Sequence, residues 1–277
     1  MHIRAKLEIE KAVKKIILAL GLSFSILLLA GCASDDNKLP YEGDSAQFIY
    51  AKGHSFLKEG DYPSAISAYK SLNAQYPFEH FSQLGTLDLI YAYYQKADSA
   101  MMIAAATQFI KLHPQNKNIG YAYYMLGIAH FDNGRGFLQR RLPYEMAQHD
   151  PVGYKKAFFE FKRAIALSPK ASYVSDAKRR MVYLNNTIGR YELNIAQYNF
   201  EHKAYVGAIN RAKKVVQQYS RSEAVESALV VMAKSYNILG LPKMAEASVA
   251  VLKKNFPDNK YLESVISEGH RESVIVN

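Results

Sequence analysis

The chain of 277 residues has one cysteine and no tryptophan. A lone thiol excludes an internal disulfide framework, so the fold must rest on packing. Glycine (15) and proline (9) are too sparse for a collagen-like or low-complexity chain. The formal net charge is +10, yet no run of five or six like charges occurs. Scattered charge of this kind describes a solvated surface that can attract anionic lipid or an acidic protein face, and no nucleic-acid partner is expected. Catalytic signatures are also missing. The sequence has no His-Glu-x-x-His, no phosphate-loop lysine, no Gly-x-Ser-x-Gly and no second cysteine for a metal site. The eight histidines are dispersed, and Gly134-Arg135-Gly136 lacks the third glycine of a nucleotide loop. The expectation is a protein that is not an enzyme and uses no cofactor or metal.

What is present begins with the leader. Residues 1–15 carry Arg4, Lys6, Lys11, Lys14 and Lys15 against Glu8 and Glu10. Ile16–Leu29 is almost wholly apolar and, at 14 residues, short for a bilayer span. Leu29-Ala30-Gly31-Cys32 follows and resembles a bacterial lipobox, with cleavage between Gly31 and Cys32. The thiol then takes an S-diacylglycerol and the new amino terminus an N-acyl chain, enough for lasting anchoring. A plain secretory signal with an incidental cysteine is the alternative, but it would leave a free thiol in an oxidising compartment. The resemblance to Gram-negative lipoproteins, in which an aspartate after the cysteine favours the inner membrane, implies the outer membrane here, where that residue is Ala33. The expected organisation is a signal peptide over 1–31 and a flexible tether over 32–44.

From residue 45 the apolar spacing is 3 and 4, which predicts an all-α chain. Prolines punctuate it at Pro77, Pro114, Pro169 and Pro257. Between them runs the tetratricopeptide (TPR) pattern of small and bulky residues. One copy reads Lys52-Gly53, Phe56, Ala65, Tyr69, Pro77, and another reads Met232-Ala233, Tyr236, Ala245, Val249, Pro257. A third reads Leu126-Gly127, His130, Ala157, Phe161, Pro169, and weaker copies end at Pro114 and Ser220. About five repeats are expected to stack into a right-handed superhelix, with an irregular helical bundle as the alternative. Repeats 1–3 fall in 45–170, with an insertion at 134–153, and repeats 4–5 fall in 171–262. The tail is 263–277. Val174, Ala177, Met181, Leu184, Ile188, Tyr191, Ile195 and Tyr198 step 3-4-3-4-3-4-3 without a proline. That stripe predicts one long helix from about 172 to 200 that links the two halves.

Repeat solenoids bind through the concave face. First-helix positions that face the groove are Gln47, Tyr50, His54 and Leu57, then Leu84, Leu87, Tyr91 and Tyr94, then Tyr121, Tyr124, Ile128 and Phe131. Half of these are aromatic, which suits an extended apolar or aromatic peptide. The candidate groove residues are Tyr50, Leu87, Tyr91, Tyr94, Tyr121, Tyr124 and Phe131.

The lipobox, "QYPF" at 75–78, "LDLIYAYY" at 87–94 and "INRAKKVVQQYS" at 209–220 together resemble the BamD (YfiO/ComL) family of outer membrane β-barrel assembly lipoproteins. The resemblance implies a scaffold that holds a POTRA domain of BamA through its C-terminal half. It also implies other Bam lipoproteins as partners, and an N-terminal half that receives the C-terminal signals of unfolded outer-membrane proteins. Asn210 and Arg211 match the family's Asn-Arg pair, which makes them the implied BamA contact. The implied location is the periplasmic face of the outer membrane, held by lipid. A different TPR lipoprotein, such as a pilus-biogenesis pilotin or a cell-wall coordination factor, is the competing reading.

Overall fold

The computed structural model describes residues 40–133, 151–260 and 262–263. The leader, Gly31, Cys32, most of the tether, insertion residues 134–150 and the tail from 264 lie outside the described residues. Among the described residues there are ten α-helices and no strands. They are α1 (Ala46–Glu59), α2 (Tyr62–Gln75), α3 (His80–Gln95), α4 (Ser99–Leu112), α5 (Ile119–Asn133), α6 (Val152–Leu167), α7 (Val174–Glu201), α8 (Tyr205–Gln218), α9 (Val225–Ile238) and α10 (Pro242–Asn255). Each helix packs on the next, and α1 on α3, α3 on α5 and α7 on α9 pack as well. This is the TPR arrangement of five antiparallel pairs.

Local chemistry sets the helix ends. Ser45, Asp61 and Asp98 cap α1, α2 and α4 by accepting from the backbone N–H of Phe48, Ser64 and Met101. Between the two helices of a pair the chain turns through a left-handed residue: Gly60, Ala97, Lys203 and Gly240. The second helices stop at Tyr76, His113, Ser168, Tyr219 and Phe256, all in nearly the same conformation, with φ between −121° and −139° and ψ between 40° and 68°. Four of these precede a proline, which disfavours the helical region for the residue before it. Tyr219 precedes Ser220 and adopts the same conformation, so packing as well as proline enforces the stop.

The small residues of the repeat permit close approach. A Cβ at Gly53 would lie 2.6 Å from the Tyr69 ring, and one at Gly127 would lie 2.7 Å from the Phe161 ring. Ala65, Ala157 and Ala208 have no exposed surface, and neither do Tyr69, Phe161 and Val215. In the fifth pair the fully buried bulky residue is Leu252, while Val249 is only partly covered. Helix α7 has 28 residues, about 42 Å. Its buried stripe shifts along its length. Val174, Ala177, Leu184 and Ile188 are covered as the spacing predicts, but Tyr198 is exposed and Glu192 and Ala196 are buried instead. Leu193 and Ala196 of its second half share a core with Ala208 and Ala212 of α8 and Ala228 and Leu229 of α9, while α6 still reaches Glu192 through Lys155. At Gly189 a Cβ would meet the Ser222 side chain, so the glycine lets the turn before α9 lie close against α7.

Candidate functional site: a tyrosine face and a buried carboxylate

The first helices of pairs one to three carry the aromatic positions. Tyr50 on α1 stacks on His54 (centroids 5.8 Å apart, 19° between planes) and leans on Phe81 of α3. Asp88 of α3 accepts from the Tyr69 hydroxyl at 3.0 Å and lies 3.2 Å from His54 Nδ1. Burial and then the Asp88 carboxylate push the Tyr50 phenol up to about 12. The same two causes, in the same order, raise Tyr69 and Tyr121. Tyr91 and Tyr94 pair at 6.2 Å, and Tyr94 is exposed. Tyr121 and Tyr124 pair at 6.4 Å on α5.

A second carboxylate continues the pattern. Tyr124 stacks on Tyr173 at 4.6 Å and donates to Asp176 of α7 at 2.9 Å. Arg180 donates to the same carboxylate at 2.6 Å and lies over the Phe131 ring. Burial, then the bond to Asp176, pushes Tyr124 up to about 12. Tyr50, Tyr69, Tyr121 and Tyr124 are therefore protonated at neutral pH. They act as donors with broad apolar faces, which suits recognition rather than proton transfer. Leu87 (6% exposed) and Phe131 (7%) are packed into the fold, whereas Tyr50, Tyr91, Tyr121 and Tyr124 are partly exposed and Tyr94 is exposed.

Arg211 and Asn210 sit on α8. Asn210 is exposed. Arg211 Nη1 donates to Glu192 Oε2 at 2.7 Å, while 43% of the arginine side chain remains exposed. Glu192 itself has no exposed surface. Lys214 of α8 donates to its other oxygen, and Lys155 of α6 lies 3.5 Å from that oxygen. Burial pushes the Glu192 carboxyl up, but the bonds from Lys214 and Arg211 outweigh it and hold it below the usual range. One carboxylate thus ties three helices together.

The sequence profile described as "YfiO: Outer membrane lipoprotein" matches residues 42–264. The chain belongs to this outer membrane lipoprotein family. It is 32% identical over 251 residues to "Outer membrane protein assembly factor BamD" of Neisseria gonorrhoeae, covering 90% of this chain and 94% of that protein. It is 31% identical over 231 residues to the protein of that name from Vibrio cholerae, covering 83% and 95%. Among solved structures it is similar to MamA (18% identity, TM-score 0.40, 82% of this chain and 93% of that one). Among the described residues no helix is long and apolar enough to cross a membrane, and no cluster of His, Cys, Asp and Glu is placed to hold a metal ion.

Sequence reasoning missed the two anchoring acids of this YfiO chain. Glu192 had a readable signal: it interrupts the i,i+4 row Leu184, Ile188, Ala196, where hydrocarbon is expected. Asp176 had none, since an acid in the first turn of a helix is ordinary dipole chemistry.

Proposed function

We propose that the chain is a non-enzymatic scaffold of outer membrane β-barrel assembly, anchored by lipid on Cys32 to the periplasmic face. Its C-terminal half, at Asn210 and Arg211, holds a POTRA domain of BamA, and other Bam lipoproteins join the same assembly. Its tyrosine face receives the C-terminal segments of unfolded outer-membrane proteins. Family membership over residues 42–264 carries the assembly role. The tyrosine face supports the peptide-receiving role, because an amphipathic strand ending in an aromatic matches protonated phenols with apolar faces. Arg211 suits an acidic contact because its guanidinium is held in place by Glu192 yet remains partly exposed.

Two results test this. Cys32→Ser is expected to release the protein from membranes into the soluble fraction, and unchanged membrane fractionation defeats the lipid anchor. Tyr91→Ala with Tyr94→Ala is expected to lower photocrosslinking to a barrel protein's C-terminal peptide about tenfold, from two lost aromatic contacts of about 0.5–1.5 kcal/mol each. Undiminished crosslinking with unchanged helicity places the peptide elsewhere.

A further inference from the structure

The second helix of the third pair and the first of the fourth leave an open groove of about 550 Å³ between them. That volume is within the range of sites that take a ligand or a few side chains, about 300–1,000 Å³. Phe158 and Ile165 of α6 and Met181 and Val182 of α7 form its apolar lining. Lys162 of α6, Lys178 of α7 and Arg221 of the turn after α8 also line it, and no acid does. All three cations are exposed, and none has an ion pair among the described residues. Of the acids on these elements, Glu201 stands at the far end of α7 and four others are engaged elsewhere. Glu160 faces Arg163, Asp176 holds Arg179 and Arg180, Glu192 holds Arg211 and Lys214, and Glu223 bonds Asn186.

We propose that this groove is a second docking surface, for an acidic segment of another protein that inserts a large apolar side chain between α6 and α7 and meets the three cations with carboxylates. The apolar lining rewards a side chain, and the cations, on three separate elements, meet separate carboxylates better than a single phosphate. None of its residues belongs to the tyrosine face or to the Glu192 cluster. The surface is therefore independent of the peptide-receiving reading, and either can fail alone.

The test uses the full-length lipidated protein in native outer membranes, with the photocrosslinker benzoyl-phenylalanine at Val182, a lining residue that is 63% exposed. The expected result is an adduct to another polypeptide whose crosslinked peptide carries Asp or Glu beside a large apolar residue. That adduct is expected to fall at least fivefold in K162E/K178E/R221E and in the milder K162Q/K178Q/R221Q, and to persist in K162R/K178R. Circular dichroism checks that each variant is folded. No adduct, an adduct to lipid or to a second copy of this chain, or a protein adduct indifferent to the charge changes overturns the proposal.

Discussion

Glu192→Ala is expected to lower the melting temperature more than any exposed substitution in the chain. The carboxylate is fully buried and is the shared counter-charge of Lys155, Arg211 and Lys214. Removing one side of a buried charge cluster strands the other, at a cost of about 3–5 kcal/mol. The three cations keep about a third of their surface in water and recover part of their hydration, so the low end applies, about 3 kcal/mol. In a domain of this size that corresponds to about 6–12 °C by thermal circular dichroism. A loss below about 2 °C would show that the cluster contributes nothing net. The effect has a pH signature. The folded carboxyl lies below its ordinary value of 4.5, so its contribution is complete above that value and is lost as pH falls through the lower, folded one. The gap between the parent and Glu192→Gln should be flat near neutrality and close below about pH 4.5. The cluster also bears on how partner binding is probed. Arg211→Glu would oppose two carboxylates and disturb the fold itself, so Arg211→Gln is the cleaner variant.

Phe161→Ala is expected to cost about 3–5 kcal/mol, because the ring is fully buried between α5 and α6. The ring also dictates its neighbour. Gly127→Ala drives a methyl into it and should cost about 1–3 kcal/mol by overpacking. Combining Gly127→Ala with Phe161→Leu should then cost less than the sum of the two single changes, as contact between the sites requires. Strict additivity in thermal or denaturant unfolding would show that the helices do not meet through this pair.

The legible part of the fold was the part repeated along the chain. Gly53 with Tyr69, and Gly127 with Phe161, announce a close helix pair because a small residue and a ring recur at fixed spacing. The prolines announce where second helices end. Tyr219 shows the limit of that signal, since its helix stops in the same conformation without one. The tyrosine positions were readable as a set, but their split was not. Leu87 and Phe131 occupy the same template positions as residues that keep some exposure (Tyr50 and Tyr124, and Tyr94) and are covered because of what packs against them. The second half of α7 was misread for a related reason. Periodicity records one face, whereas the second half of this helix also packs on α8 and α9, and an acid, Glu192, sits on its buried side.

The long helix has a consequence for reach. Asp176, near its start, holds Tyr124, and Glu192, sixteen residues later, holds Arg211. At 1.5 Å and 100° per residue, the two acids stand about 24 Å apart and about 160° around the axis. The hydroxyl of Tyr124 and the guanidinium of Arg211 are thus both fixed by acids of one rod, on nearly opposite sides of its axis. An extended segment of about seven residues covers the interval along that axis.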